Sequence, residues 1–119
     1  MRVAVLGASA KVERYSHLAL LKLREAGHEV FPIHPTLAEI AGIPVFSDLS
    51  SLPKDIDTVT VYLSAANSAP LANMLCQLHP RRVIFNPGAE NSELAEQLQA
   101  AGIVVKQACT LVLLKTKQF

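Results

Sequence analysis

Short apolar runs alternate with helix-forming segments along this chain, and the first of them, Val3-Ala4-Val5-Leu6, stops at Gly7. A continuous apolar run of that length suits a strand buried on both faces, as in a parallel sheet. From about Ser16 to Ala26 the segment SHLALLKLREA is rich in strong helix formers and closes on Gly27, the residue favoured just past a helix C-terminus. Ser16 is the expected N-cap. Strand, turn and helix in that order form the first half of a βαβ unit, which strongly limits the folds open to the chain.

The pattern repeats. Glu29 to Ile33 (EVFPI) reads as a second strand, and Pro32, which cannot donate a ladder hydrogen bond, must lie at its end or on a free side. After His34-Pro35-Thr36, Leu37 to Ala41 predicts a helical turn before Gly42, and Val45-Phe46 a brief pairing. Asp57 to Leu63 (DTVTVYL) has the β-branched and aromatic composition of a central strand. Ser68 to Leu78 predicts a helix that tolerates Pro70 only in its first turn. Val83 to Phe85 is a strand, and Asn86-Pro87-Gly88 a turn. Asn91 to Ala101 is a helix capped by Asn91 or Ser92, and Ile103 to Val105 a last strand. Cys109 to Leu114 is apolar but too short to class by periodicity. Five strands and about three helices predict an α/β fold: a doubly wound, mainly parallel five-stranded Rossmann-like sheet in a single domain. A length of 119 residues suffices for one hydrophobic core and is short for two.

Composition narrows the partners. The net charge of +1 arises from interspersed acids and bases, with no basic block to hold a nucleic acid or an anionic membrane. Arg81-Arg82 is the one basic doublet, read as a solvated strand entrance. Cys76 and Cys109 lie far apart, and the four histidines (His17, His28, His34, His79) are scattered, so no metal or redox-pair motif is present. The N-terminus enters an apolar strand directly, and no long apolar run occurs, so a cytoplasmic location without a membrane span is expected.

In an open parallel sheet the ligand crevice lies beyond the C-terminal strand ends. The loops beginning Gly7, His34, Ser64, Asn86 and Lys106 qualify. The first carries the strongest signal: Gly7 permits a tight turn, and Ser9, Ser16 and the amides opening the first helix can donate to an anion. Lys11 and Arg14 add cations. A phosphate site is favoured over a plain turn and cap, although the loop has one glycine and is not a GxGxxG motif.

An NAD site places an acid at the end of the second strand to hold the ribose hydroxyls, and this chain has Ile33-His34-Pro35 there. An NAD(P)-binding sensor or enzyme is therefore the alternative reading. His34 lies near an adenosine or a ribose phosphate, or is merely structural; the residues alone leave these open. No nucleophile elbow, P-loop or paired-carboxylate motif is present, and Asp48, Asp55 and Asp57 read as solvated caps. Cys109 either faces the crevice as a thiol or is a buried, inert cysteine.

Several segments, in order, resemble the CoA-binding domain family, related to the N-terminal domain of the succinyl-CoA synthetase alpha subunit. They are VAVLGASAKVERYS, VFPIHPT, EIAGIPVFSDLSSLP, VTVYLSAAN, and FNPGAEN through QACTLVLL. The chain is most similar to the small stand-alone bacterial and archaeal members. The resemblance implies coenzyme A, or an acyl-CoA, as ligand. By it the first loop holds the diphosphate through Gly7, Ala8, Ser9, Arg14 and Ser16, and His34 and Pro35 lie along the nucleotide. It likewise sets Leu63, Ser64 and Ala65 near adenine, and Asn86, Pro87, Gly88 and Cys109 toward the pantetheine. Because the chain comprises one Rossmann unit, a complete acyl-CoA ligase is not expected. A non-enzymatic binding protein is, either alone or as the CoA-binding subunit of a larger complex joined through the apolar CTLVLL segment.

Overall fold

A computed structural model describes residues 1–119. The first strand, β1 (Arg2–Leu6), leads into α1 (Tyr15–Glu25) and then β2 (Glu29–Ile33). A short excursion follows: β3 (Glu39–Ile40), β4 (Ile43–Pro44) and a 3-10 turn at Leu49–Ser51. The chain then alternates through β5 (Thr58–Val61), α2 (Ala65–Ser68), a 3-10 turn at Ala69–Leu71, α3 (Ala72–Leu78) and β6 (Arg82–Phe85). It ends with α4 (Ser92–Ala100), β7 (Val104–Gln107) and α5 (Thr110–Lys115).

The main sheet has the order β2-β1-β5-β6-β7, and every neighbouring pair is parallel. The expected α/β sheet of five parallel strands is therefore the fold. Succession runs outward from β1 to β2 on one side and from β5 to β7 on the other, so strand order reverses between β1 and β5. That is where a crevice opens in such sheets.

Strand alternation divides the core into two layers. Ala4 and Leu6 join Val59, Val61 and Phe85 on one face, packed against Leu75 of α3 and Leu94 and Leu98 of α4. Val3 and Val5 face the other way, toward Leu20 and Leu23 of α1 and Leu114 of α5, with Ile40 and Ile43 closing one end. All four residues of β5 and of β6 are buried, as central parallel strands require.

Pro32 sits in the edge strand β2, consistent with its missing donor, and its carbonyl accepts the Phe46 N–H at 2.9 Å. The His34 N–H donates to the Phe46 carbonyl at 3.0 Å, and Ile33 bridges Phe46 in parallel. The segment after β4 thus runs alongside the end of β2 like an extra strand.

Several local expectations are corrected. Arg14, not Ser16, is the N-cap of α1; Ser16 lies buried in the first turn. Leu37 to Ala41 forms no helical turn. Ala41 and Gly42, with φ of 52° and 78°, instead make a tight turn that pairs β3 with β4, the geometry suited to a two-residue hairpin. The helix expected over Ser68 to Leu78 begins earlier and is interrupted at Pro70, which cannot continue α-helical bonding and sits in the 3-10 turn. Of the two cap candidates before α4, Asn91 accepts the Leu94 N–H. The unclassed C-terminal segment is α5, and its Leu113 completes the chain's own core.

Arg82 is not a solvated entrance residue. It is 7% exposed, donates to the Thr58 hydroxyl at 2.8 Å, and stacks 4.5 Å from the centre of the Phe119 ring. Arg81 does face solvent, where it pairs with Asp57 at 2.9 Å.

Candidate functional site

Three clefts line the C-terminal edge of the sheet and join end to end. The first, of 340 Å³, lies between the ends of β1 and β2 and is walled by Ile33, His34, Asp48, Leu63 and Leu71. The second, of 280 Å³, lies over the α1 N-terminus and shares Gly7 with the first. The third, of 410 Å³, shares Tyr15, Tyr62 and Pro87 with the second and ends at Cys109, Leu111 and Val112. A single groove results, apolar at both ends and polar in the middle.

The middle is built from unpaired donors. The backbone N–H groups of Gly7, Ser9, Tyr15 and Ser16 make no hydrogen bond within the chain. Those of Tyr15 and Ser16 belong to the first turn of α1, where intrahelical partners do not exist and the helix dipole is positive. The loop before them is held in place from inside. His17, buried on α1, donates from Nδ1 to the Ser9 carbonyl at 2.8 Å, and the Ser9 hydroxyl accepts the Lys11 N–H at 3.1 Å. Arg14 makes no ion pair and is the only formally charged residue lining this cleft.

Gly7 is required sterically as well as conformationally. Its φ is +90°, and a Cβ there would stand 3.1 Å from the Tyr62 carbonyl carbon and 3.1 Å from Leu63 Cδ2. The absence of a side chain lets the loop lie close to the end of β5.

At the far end, Asn86 holds the floor. Its amide donates to the Thr60 hydroxyl at 2.7 Å and to the Val61 carbonyl at 2.9 Å, while its oxygen accepts the Thr110 N–H. The Thr60 and Thr110 hydroxyls lie 2.7 Å apart. The Tyr62 hydroxyl is buried beside these threonines without a hydrogen bond of its own, and burial pushes its pKa up to about 12. Cys109 is a free, half-buried thiol on the cleft wall.

The groove brings together most of the residues singled out in the sequence. Gly7, Ala8, His34, Pro35 and Leu63 line the first cleft, and Ser9, Arg14, Ser16, Pro87 and Gly88 the second. Asn86 and Cys109 line the third, but every polar atom of the Asn86 side chain is already bonded to the protein. Ser64 and Ala65 are exposed and lie outside the lining; Ser64 is the N-cap of α2. Sequence reasoning missed Tyr15 and Tyr62, which link two clefts, and Asp48, taken only as a cap. Asp48 does cap the 3-10 turn, accepting the Ser50 N–H at 2.9 Å, but it also faces the first cleft.

The model of a family described as CoA binding domain matches residues 1–115. The uncharacterized protein YneT of Bacillus subtilis (strain 168) is 28% identical over 112 residues, covering 93% of this chain and 83% of its own. A crystal structure of an uncharacterized protein superposes with a TM-score of 0.91 at 38% identity, over 99% of this chain and 97% of that one. A dinucleotide-forming acetyl-coenzyme A synthetase from Ca. Korarchaeum cryptofilum shares the fold, with a TM-score of 0.75 at 21% identity. There 87% of this chain matches 25% of the larger one.

Proposed function

Since this chain belongs to the CoA-binding domain family, we propose that it binds coenzyme A or an acyl-CoA along the groove. The carrying observation is the set of unpaired N–H groups at Gly7, Ser9, Tyr15 and Ser16, beside the free guanidinium of Arg14, midway between two apolar clefts. A diphosphate flanked by two less polar arms matches that order. Backbone donors at a helix N-terminus suit phosphate oxygens, and a free arginine adds charge-assisted bonds.

In this reading Gly7, Ala8, Ser9, Arg14 and Ser16 hold the diphosphate. His34, Pro35 and Leu63 flank the nucleoside, with Ser64 and Ala65 at the outer lip. Pro87, Gly88 and Cys109 border the pantetheine arm, and Asn86 positions that wall. We read the chain as a binding module without chemistry of its own, because the one carboxylate and the one histidine lining the groove, Asp48 and His34, make no hydrogen bond to each other and are each bonded to their own loops. Its two free cysteines suit a reducing cytoplasm.

A second reading, a CoA-binding subunit of a larger complex, draws on the large side chains left exposed at the third cleft, Tyr15 (74%) and Val112 (55%). Calorimetry with CoA, acetyl-CoA and NAD tests the primary reading. It predicts saturable binding of the CoA compounds in preference to NAD, and no binding of either CoA compound at millimolar concentration contradicts it.

A further inference from the structure

A further cleft, of 520 Å³, lies outside the groove, between α1 and α5. Its apolar wall is Leu18 of α1 with Leu111 and Leu114 of α5, and Leu18 is left 41% exposed. Leu111 also lines the third cleft of the groove, so the two spaces meet at the first turn of α5. Tyr15, on the wall of the third cleft, stands three residues before Leu18 and therefore on the same side of α1.

The direction of this cleft follows from the helices that wall it. Both α1 and α5 begin at the C-terminal edge of the sheet, after β1 and β7, and lead away from it. From Leu18 to Ala26 the chain of α1 advances about 12 Å. The cleft extends that far from its junction with the groove. No formally charged residue lines the third cleft, and the charged residues of the further one are exposed. Lys22 and Glu25 pair with each other at 3.5 Å, and Lys115 makes no ion pair. A path without a charge thus leads from Cys109 over Leu111 to Leu18 and Leu114.

We propose that this cleft takes the acyl chain of a medium-chain acyl-CoA. With the pantetheine arm running to Cys109, a chain on its sulfur passes over Leu111 and lies between α1 and α5, where its methylenes cover leucines otherwise left in water. The inference rests on the CoA reading and adds a class of ligand to it, since unacylated CoA does not reach this cleft. The continuity at Leu111 is what favours an acyl chain over a protein segment, which needs no passage from the reactive end of the groove.

The test is titration calorimetry of the intact protein with acetyl-, butyryl-, hexanoyl- and octanoyl-CoA, in wild type and in Leu18→Gln. Glutamine matches leucine in helix propensity and adds no charge that could act on the diphosphate. Full burial of a methylene is worth about fourfold in affinity, and a cleft open on one side about twofold. Wild-type affinity is therefore expected to rise about twofold for each added methylene. Leu18→Gln should flatten that rise and leave acetyl-CoA within about twofold of wild type. Equal affinities across the series, or a rise that Leu18→Gln leaves unchanged, overturn the inference while the CoA reading stands. Sedimentation showing two chains in wild type and one in Leu18→Gln gives the cleft to a second copy and overturns it as well. Failure of every CoA compound to bind overturns both readings together.

Discussion

The side-chain oxygen of Asn86, at the end of β6, accepts the backbone N–H of Thr110 at 2.9 Å and so fixes the start of α5 to the centre of the sheet. Because the Asn86 amide is bonded to Thr60 and Val61, the wall carrying Cys109 is tied to two neighbouring strands. Asn86→Ala should cost about 1–3 kcal/mol, since it leaves the buried Thr110 N–H without a partner. Urea unfolding measures the loss. Faster modification of Cys109 by a thiol reagent, in a background with Cys76→Ala, measures the loosened wall.

Gly7→Ala should destabilise the chain by about 1–3 kcal/mol, because alanine must adopt a φ of +90° with its Cβ pressed on the end of β5. Gly88→Ala has a similar φ but open space around the added atom. Thermal unfolding should therefore rank Gly7→Ala as the more damaging of the two; the reverse ranking would remove the close-packing argument.

Arg14→Ala should weaken CoA binding about tenfold and leave the unfolding midpoint nearly unchanged. The side chain is exposed and unpaired within the protein, whereas a hydrogen bond to a charged group is worth about 1.5–3 kcal/mol. Calorimetry on the variant checks the affinity and urea unfolding the stability.

His28 supplies a pH dependence. Its ring packs at a 59° tilt against Phe119, with centroids 5.1 Å apart, and desolvation, then the N-terminal ammonium and Arg82, push its pKa below the usual 6.5. Asp57 opposes them but does not reverse the direction. A lowered value means that the unfolded chain takes up the proton first as pH falls. The His28 contribution is thus present in full above pH 6.5 and is lost as pH drops through 6.5 toward the folded value. Unfolding midpoints measured between pH 7.5 and 5.5 should fall, and His28→Gln should flatten the slope.

How much of this was legible in the sequence depends on how local the cause is. Val3 to Leu6, Gly7 and the helix after it carry their own signals, so the α/β sheet and the loop at its edge could be read directly. The Ala41-Gly42 hairpin could not, because alanine at φ 52° has no sequence signature and the two strands it joins span two residues each. Helix α5 was hidden by its length. Arg82 misled because the aromatic ring that covers it lies 37 residues away, at Phe119. Within the groove, Asp48 was seen as a cap and is one. That it also faces His34 depends on the Phe46 to Ile33 bridge, a contact between segments that no local pattern announces.

The central claim is that the unpaired amides over α1 hold the diphosphate of CoA, and amide NMR on the labelled protein titrated with CoA addresses it most directly. The account predicts that the largest shifts fall at Gly7, Ser9, Tyr15 and Ser16, with smaller ones at Leu63 and Cys109 toward the two ends. Saturation with those four amides unmoved, or shifts confined to the outer face between α1 and α5, would contradict it.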